Sequence, residues 1–291
     1  MHEARRNLRE QGLEPQSEQL VVFAGKTDVL GEVDQNIFAG GDGTEQFINQ
    51  AFVANPAFLL GLPYCSFTAG FVLPREWGRI GMSVLDPKDR AEDFFRLDDL
   101  FATGIIVVSE VSVNTNFFNR SGQHHVGAVW KHRDQIDLRF NFAPPGEYPY
   151  PTPPGPLETK SDAFTIYYGF DQFVQEYSDA PKRGWGVFGR ASVSDGNPTP
   201  VRYHLSLGVG GDSNLRVGRG DTFGIGWYHT VASDEFGPIP RAAQDPRNGT
   251  GVELYYNFQV TPWLNAPLTF SSSVRETEPS PTTQSFTECG W

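Results

Sequence analysis

The sequence predicts an all-β fold, an antiparallel transmembrane β-barrel, and three observations lead to this prediction. Apolar and polar residues alternate along about eleven segments, the pattern of strands with one apolar and one polar face. These segments run for roughly eight to ten residues, longer than the five or six typical of soluble sheets and close to the nine to eleven that cross a bilayer. The connections alternate between short turns and long loops, as they do in outer-membrane barrels.

The first part of the chain, residues 1–19, is a polar and charged segment without the apolar stretch of a secretory signal. Within it, residues 3–11 are compatible with one short polar helix. The barrel region extends from residue 20 to residue 263. In its first half, alternation predicts strands at 20–29, 66–73, 79–84, 104–114 and 123–131.

One short helix is predicted in a loop of the barrel region. The segment KDRAEDFFRLDDLF, residues 88–101, follows Asp86 and Pro87, and proline suits an early helical position. Elsewhere in the barrel region the sequence indicates strands rather than long helices.

Alternation is clearest in the C-terminal half of the barrel region. Along residues 252–260 the apolar side chains fall on one face, and Glu253, Tyr255 and Asn257 fall on the other. Residues 264–291 are rich in Ser, Thr and Pro and are expected to form a disordered or out-of-frame tail. The long loops are 36–43, 143–162 and 233–251. The strands predicted in this half are 135–142, 163–170, 185–193, 203–209, 223–227 and 252–260.

Composition and charge exclude several classes of protein. The chain has 23 Lys and Arg against 35 Asp and Glu, a net charge of −12, which argues against a nucleic-acid partner. No apolar run reaches the roughly 18 residues of a transmembrane helix. The two cysteines, Cys65 and Cys289, exclude a disulfide framework and an all-cysteine metal site.

The sequence predicts no catalytic residue, metal site or cofactor. The adjacent His124 and His125 point to opposite faces of a regular strand, so they cannot both bind one ion. Glycoside hydrolysis needs a pair of carboxylates, but no spacing singles out two of the candidates. These candidates are Glu110, Asp171, Asp221 and Glu253.

The polar strand faces are the candidate functional surface. In a barrel with a wet interior they line the lumen, where charged, amide and aromatic groups can contact sugars. In a soluble sandwich the same faces would meet bulk water. The pore-lining candidates are Arg190 and Glu253, followed by Arg139, Asn257 and Tyr255.

The segment GVELYYNFQVTPW, residues 251–263, gives the chain a family resemblance. Its Glu253, Tyr255, Tyr256 and the following Thr-Pro-Trp resemble a strand of the carbohydrate-selective outer-membrane porins, the OprB-like family. Further resemblances follow in collinear order upstream. They are AGKTDV at 24–29, Asp34 and Asn36, QFIN at 46–49, GFDQFV at 169–174, GWGVFGRASVSDGNP at 184–198 and GRGDTFGIGW at 218–227.

The resemblance implies a passive porin of the bacterial outer membrane, with a barrel of about 16 strands that passes sugars and other small solutes. It implies sugars as permeating partners, contact with outer-membrane lipid, and a possible homo-oligomer. With about eleven recognisable strands, the chain is expected to be an incomplete family member, truncated at both ends. The alternatives are a soluble carbohydrate-binding β-sandwich and, with less support, a glycoside hydrolase.

Overall fold

A computed structural model describes residues 19–28, 33–40, 46–59, 61–92, 97–139, 158–177, 183–216, 220–237, 247–261 and 263–275. The helix expected within residues 3–11 lies outside these ranges, as do residues 143–157 of the proline-rich loop. Among the described residues, no helix is long and apolar enough to cross a membrane.

In the described part of the chain, eleven antiparallel strands form one sheet in which each strand pairs with the next along the chain. The predicted all-β antiparallel fold is therefore confirmed. The strands β1 and β11 are the edges of the sheet, which does not close into a complete barrel within the described residues. The strands are β1 Val21–Asp28, β2 Cys65–Arg75, β3 Gly78–Leu85, β4 Ile105–Phe117, β5 Arg120–Ile136, β6 Thr159–Glu176, β7 Gly184–Ser194, β8 Val201–Asp212, β9 Thr222–Ala232, β10 Gly249–Thr261 and β11 Leu264–Arg275.

Compared with the sheet of a soluble protein, the two faces of this sheet have inverted polarity, because many apolar side chains are exposed on one face and many polar side chains are buried on the other. Along β6, Phe164 and Ile166 are exposed on the outer face, whereas Thr165 is fully buried on the inner face. The same alternation places apolar side chains outward on the other central strands, among them Val126, Trp130, Leu205, Leu207, Ile225, Trp227, Val252 and Leu254. A soluble sandwich buries its apolar face, so this arrangement is typical of a sheet whose outer face meets lipid.

With residues 195–200 as an exception, the connections at one end of the sheet are longer than those at the other end. Residues 86–104, 137–158 and 233–248 join strands at one end of the sheet, and this end also receives the connection between β1 and β2. At the other end, Phe118 and Asn119 alone join β4 to β5. Both residues have positive φ angles, 54° and 60°, the conformation of a tight two-residue hairpin turn.

The strand predicted at 135–142 is wrong, because β5 ends at Ile136. The Asp137 carboxylate accepts a hydrogen bond from the Arg139 backbone amide at 2.8 Å, an Asx turn that directs the chain out of the sheet. Arg139 consequently lies in a turn rather than on a strand, and residues 140–142 lie outside the described ranges.

The helix predicted at 88–101 is not observed at residues 88–92 and 97–101, which form bends and turns, and residues 93–96 lie outside the described ranges. The Arg90 amide donates to the Cys65 carbonyl of β2 at 2.8 Å instead of a helical partner. The Arg90 guanidinium binds Asp86 at 2.6 Å and Asp99 at 2.9 Å. The observed helices are α1, Gln50–Val53, and α2, Pro56–Leu59, both within the connection between β1 and β2.

The disordered tail predicted at residues 264–291 is wrong in its first part, because residues 264–275 form β11. The strand pairs with β10 from Leu264 opposite Thr261 to Arg275 opposite Gly249. Its even-numbered positions carry Leu264, Leu268, Phe270 and Val274, so an alternating pattern is present. The run of three serines at 271–273 obscures that pattern, and residues 276–291 lie outside the described ranges.

Candidate functional site

The connection between β1 and β2 folds back against the inner face of the sheet. We call residues 33–64 the inner segment, of which 41–45 and 60 lie outside the described ranges. Its Phe38, Phe47 and Phe52 are at most 2% exposed, and they pack with Phe173, Phe188 and Tyr255 of the sheet. The inner segment therefore covers part of the inner face of the sheet.

Glycines on β9 make room for the aromatic rings of the inner segment. A Cβ atom on Gly226 would lie 2.6 Å from the Phe52 ring, and one on Gly224 would lie 2.9 Å from the Phe47 ring. Without these side chains, the Phe47 ring reaches Phe52 and Tyr255 at centroid distances of 4.7 and 4.9 Å. Such tilted and edge-on contacts between aromatic rings add to the energy of burying them.

Asp34 is the polar anchor at the start of the inner segment. Its carboxylate contacts His125 Nε2 of β5 at 2.9 Å and accepts from Arg190 Nε of β7 at 2.8 Å. Its backbone amide donates to Glu110 Oε2 of β4 at 2.9 Å. The Asp34 φ angle is 52°, in the left-handed region that is costly for most residues, and contacts to three strands hold it there.

Arg190 ties two parts of the inner segment to β7. Besides binding the Asp34 carboxylate, it donates from Nη2 to the Asp34 carbonyl at 3.0 Å and from Nη1 to the Phe52 carbonyl. The Arg190 side chain is fully buried. A buried guanidinium needs such partners, because an uncompensated charge in this environment is very costly.

Glu253 anchors the inner segment from the opposite side of the site, on β10. Its two carboxylate oxygens accept the backbone amides of Ile48 at 2.8 Å and Asn49 at 2.9 Å. Asn49 also caps α1, since its side chain accepts from the Ala51 amide at 3.0 Å. Glu253 is completely buried by these contacts.

The structure places four of the five pore-lining candidates on the inner face. Arg190, Glu253, Tyr255 and Asn257 are at most 2% exposed, covered by the inner segment or by neighbouring strands. Arg139 is separate from them, in the turn after β5, where it pairs with Glu235. Direct contact of these residues with a solute stays a prediction.

A second group of inner-face residues lies on β3, β4 and β6, and the sequence did not indicate the contacts among them. Glu110 accepts from the Tyr167 hydroxyl at 2.9 Å and from Arg79 Nη2 at 2.9 Å, and Arg79 Nε donates to Ser112 Oγ at 3.0 Å. The alternation of β4 placed Glu110 on the polar face. Its connection to Asp34 spans 76 residues of sequence, and no local pattern could indicate it.

The histidine prediction is confirmed, because His125 faces inward and His124 faces outward. His124 Nδ1 lies 2.6 Å from the Tyr168 hydroxyl on the outer face. Within the described ranges, no group of three His, Cys, Asp or Glu side chains could hold a metal ion. The charged groups of the inner face instead bind one another and the inner segment.

Asp221 fastens the connection between β8 and β9 to β10 at the short-turn end. Its carboxylate accepts from Arg216 Nε at 2.6 Å, from the Tyr256 hydroxyl at 3.0 Å and from the Gln259 amide at 2.8 Å. The hydrogen bond from Arg216 is the main cause that lowers the pKa of Asp221 to about 2, with Gln259 and Tyr256 acting in the same direction.

Low pH is therefore expected to weaken the attachment of the β8–β9 connection to β10, because Asp221 becomes protonated. Because the folded-state pKa lies below the unfolded value of about 3.9, ionised Asp221 stabilises the fold above pH 4, and this stabilisation is lost as the pH falls through about 2. The exchange rate of the Gln259 amide hydrogen, compared between wild type and Asp221→Asn at each pH, measures this stabilisation. The two proteins should differ at pH 6 and converge near pH 2; an equal difference at both pH values would contradict this account.

Comparisons with known proteins agree with the geometry. The family model described as "Carbohydrate-selective porin, OprB family" matches residues 10–266. A solved high-pH structure of Pseudomonas putida OprB superimposes with a TM-score of 0.71 at 16% sequence identity. The match covers 89% of this chain and 66% of the Pseudomonas chain, so this chain spans just under two thirds of that protein. No curated protein matches the sequence significantly.

Proposed function

The chain belongs to the OprB family of carbohydrate-selective porins, and from this membership we propose that it forms a passive channel for carbohydrates and other small solutes in the bacterial outer membrane. The observation that carries the proposal is the inverted polarity of the sheet. An apolar outer face suits lipid, and the charged groups on the inner face, among them Arg79, Glu110, Arg190 and Glu253, suit a path for polar solutes. The porin family is a class of channels rather than of enzymes, and we propose no catalytic step.

The inner segment is proposed to narrow the path and to set its selectivity. It is held at three places on the inner face, by Arg190, by Glu253 and by the aromatic contacts of Phe47. We propose that Arg190, Glu253 and Tyr255 act on the solute through the position of this segment, and that Asn257 lies along the path. Arg139, with Glu235, is proposed to flank the mouth at the long-loop end.

The two faces of the sheet suggest two kinds of binding partner, lipid and sugar. Outer-membrane lipid is proposed to cover the outward apolar side chains, and sugars are proposed to be the permeating solutes. A homo-oligomer would use part of the outer face.

The soluble sandwich alternative is disfavoured by the exposed apolar face, with Leu254 49% and Ile225 49% exposed. The hydrolase alternative is disfavoured because Glu110 and Glu253 are occupied by amide groups of the inner segment.

Single-channel recording on the full chain, refolded in detergent and added to planar bilayers, tests the proposal. We expect discrete current steps whose amplitude falls when a sugar such as glucose is added. We also expect heat-modifiable mobility on gels, because the proposed channel needs a folded barrel, which is more compact than the unfolded chain. A protein that stays monodisperse in buffer without detergent and gives no current would contradict the proposal.

A further inference from the structure

We propose that one acyl chain of a membrane lipid binds in a groove on the outer face of β6–β10, with its hydrocarbon end against Leu207 and Trp227. This inference rests on the proposed function, in which the outer face meets lipid, and it adds a defined site for a single lipid chain. We call this site the outer groove. Its lining residues are Phe170 on β6, Val187 and Phe188 on β7, Leu207, Gly208 and Val209 on β8, Ile225, Gly226 and Trp227 on β9, and Val252 on β10.

The register of the strands arranges the outer groove in two neighbouring rows of outward positions. The first row crosses five strands through successive pairs and consists of Phe170, Gly189, Leu207, Trp227 and Val252. The second row lies nearer to the short-turn end and consists of Val187, Val209 and Ile225. The site is therefore built by the folded sheet rather than by any one strand.

The floor of the outer groove is formed in part by main-chain atoms. Leu207 is exposed on the outer face, whereas the neighbouring Gly208 and Gly226 face inward. A Cβ atom on Gly208 would lie 2.4 Å from the Phe188 ring, and one on Gly226 would lie 2.6 Å from the Phe52 ring, both on the inner side. These positions can therefore contribute only backbone to the outer groove.

The outer groove has the space and the shape for a hydrocarbon chain. Its volume is about 480 Å³. A Cβ atom on Gly189 would lie 2.5 Å from the Phe170 ring and 2.7 Å from Leu207 Cδ2, so these two side chains approach each other over β7 and form a wall. A flexible chain lying in such a recess gains close contacts from several sides at once, which a flat surface does not provide.

The position of the outer groove along the strands selects hydrocarbon rather than a headgroup. Gly189 lies in the middle of the 11 residues of β7, and Trp227 lies in the middle of the 11 residues of β9. In an outer-membrane barrel the middle of the strands lies in the hydrocarbon core, and the headgroups lie near the strand ends. Only the chain of a lipid therefore reaches the outer groove.

The chemistry of the lining favours a lipid chain over a second copy of this protein. Among the described side chains that point into the outer groove, only Trp227 carries a polar atom, its indole nitrogen. Proteins associate within lipid through close packing and hydrogen bonds, because lipid tails are as apolar as leucine. A recessed apolar surface gives a second copy little to gain, whereas a flexible chain can fill it.

Quenching of Trp227 fluorescence by a brominated phospholipid tests this inference without a measurement of current. The full chain keeps Trp227, and its five other tryptophans are replaced by phenylalanine. The protein is placed in detergent micelles with increasing mole fractions of phosphatidylethanolamine brominated near the ends of its chains. Random contact gives quenching in proportion to the mole fraction, whereas a site should be half-saturated at an about threefold lower mole fraction, the effect of a few added carbon contacts.

Matched variants locate the site. A protein whose only tryptophan is Trp130, exposed on the outer face of β5 and outside the outer groove, should be quenched in proportion to the mole fraction. Val209→Phe places a ring in the outer groove and should remove the preference at Trp227. Val126→Phe makes the same change on the outer face of β5 and should leave the preference intact.

The outcomes separate this inference from the proposed function. Proportional quenching at Trp227, or a preference that survives Val209→Phe, would overturn the outer groove as a lipid site. A Trp227 that is never quenched, with a disulfide-linked dimer of Ile225→Cys in a chain lacking the native cysteines, would assign the outer groove to a second copy instead. A preference at Trp227 supports the inference even if no current is recorded, whereas sugar-sensitive current with proportional quenching would keep the channel and reject the site.

Discussion

Arg190→Met is expected to destabilise the protein by about 3–5 kcal/mol, because it leaves the buried Asp34 carboxylate without its cation. The substitution also removes the donors to the carbonyls of Asp34 and Phe52, so the inner segment should separate from β7. Urea unfolding in detergent measures the loss, and limited proteolysis should show new cleavage within residues 33–64.

Arg183→Met is the matched control for this prediction. The Arg183–Asp212 pair has a similar distance, 2.9 Å, but the Arg183 side chain is 45% exposed. Exposed pairs of this kind contribute about 0–1 kcal/mol. Equal losses in the two variants would show that the inner segment is not held by buried charge.

Phe52→Ala is expected to cost about 3–5 kcal/mol, the usual effect of emptying a large aromatic position in a core. Phe52 is completely buried and contacts Phe47, Phe188 and Tyr228. Gly226 on β9 has no side chain that could fill the space. Because the inner segment narrows the path in the proposed channel, the same change should also raise single-channel conductance.

Phe118→Ala serves as the comparison, since Phe118 is 99% exposed in the hairpin turn between β4 and β5. Surface substitutions of this kind usually change stability by less than about 0.5 kcal/mol. If Phe52→Ala proved as mild as Phe118→Ala, the aromatic core between the inner segment and the sheet would not be a source of stability.

Ten of the eleven strands could be predicted from the sequence, because strands with one apolar face leave a period of two. The eleventh prediction failed at residues 135–142, where the alternation continues past an Asx turn that only the Asp137 side chain creates. The strand β11 was missed for the opposite reason, since Ser272 interrupts its apolar outward positions and serines also stand on either side of it. Pairing with a neighbouring strand decides both cases, with β6 for residues 135–136 and with β10 for β11, and pairing is not a local property.

The sequence could predict on which face of the sheet the side chains of the candidate site lie, but not which residues they contact. The period of two placed Arg190 and Glu253 on the polar face. It could not reveal that a loop from the start of the chain covers them, because Arg190 and Asp34 are 156 residues apart in sequence. Asp34 itself lies in an irregular segment with no periodicity, and only the folded geometry assigns it a role.

The orientation of the two faces is the central claim, and spin labels test it most directly. Single cysteines at Leu207, Ile225 and Leu254, in a chain lacking the two native cysteines, place labels on the outer face of β8, β9 and β10. In bilayers, these labels are expected to be accessible to oxygen, which concentrates in lipid, and protected from a water-soluble nickel complex. If the labels at all three sites were instead accessible to the nickel complex and not to oxygen, the result would contradict a membrane-embedded outer face, and with it the proposed channel.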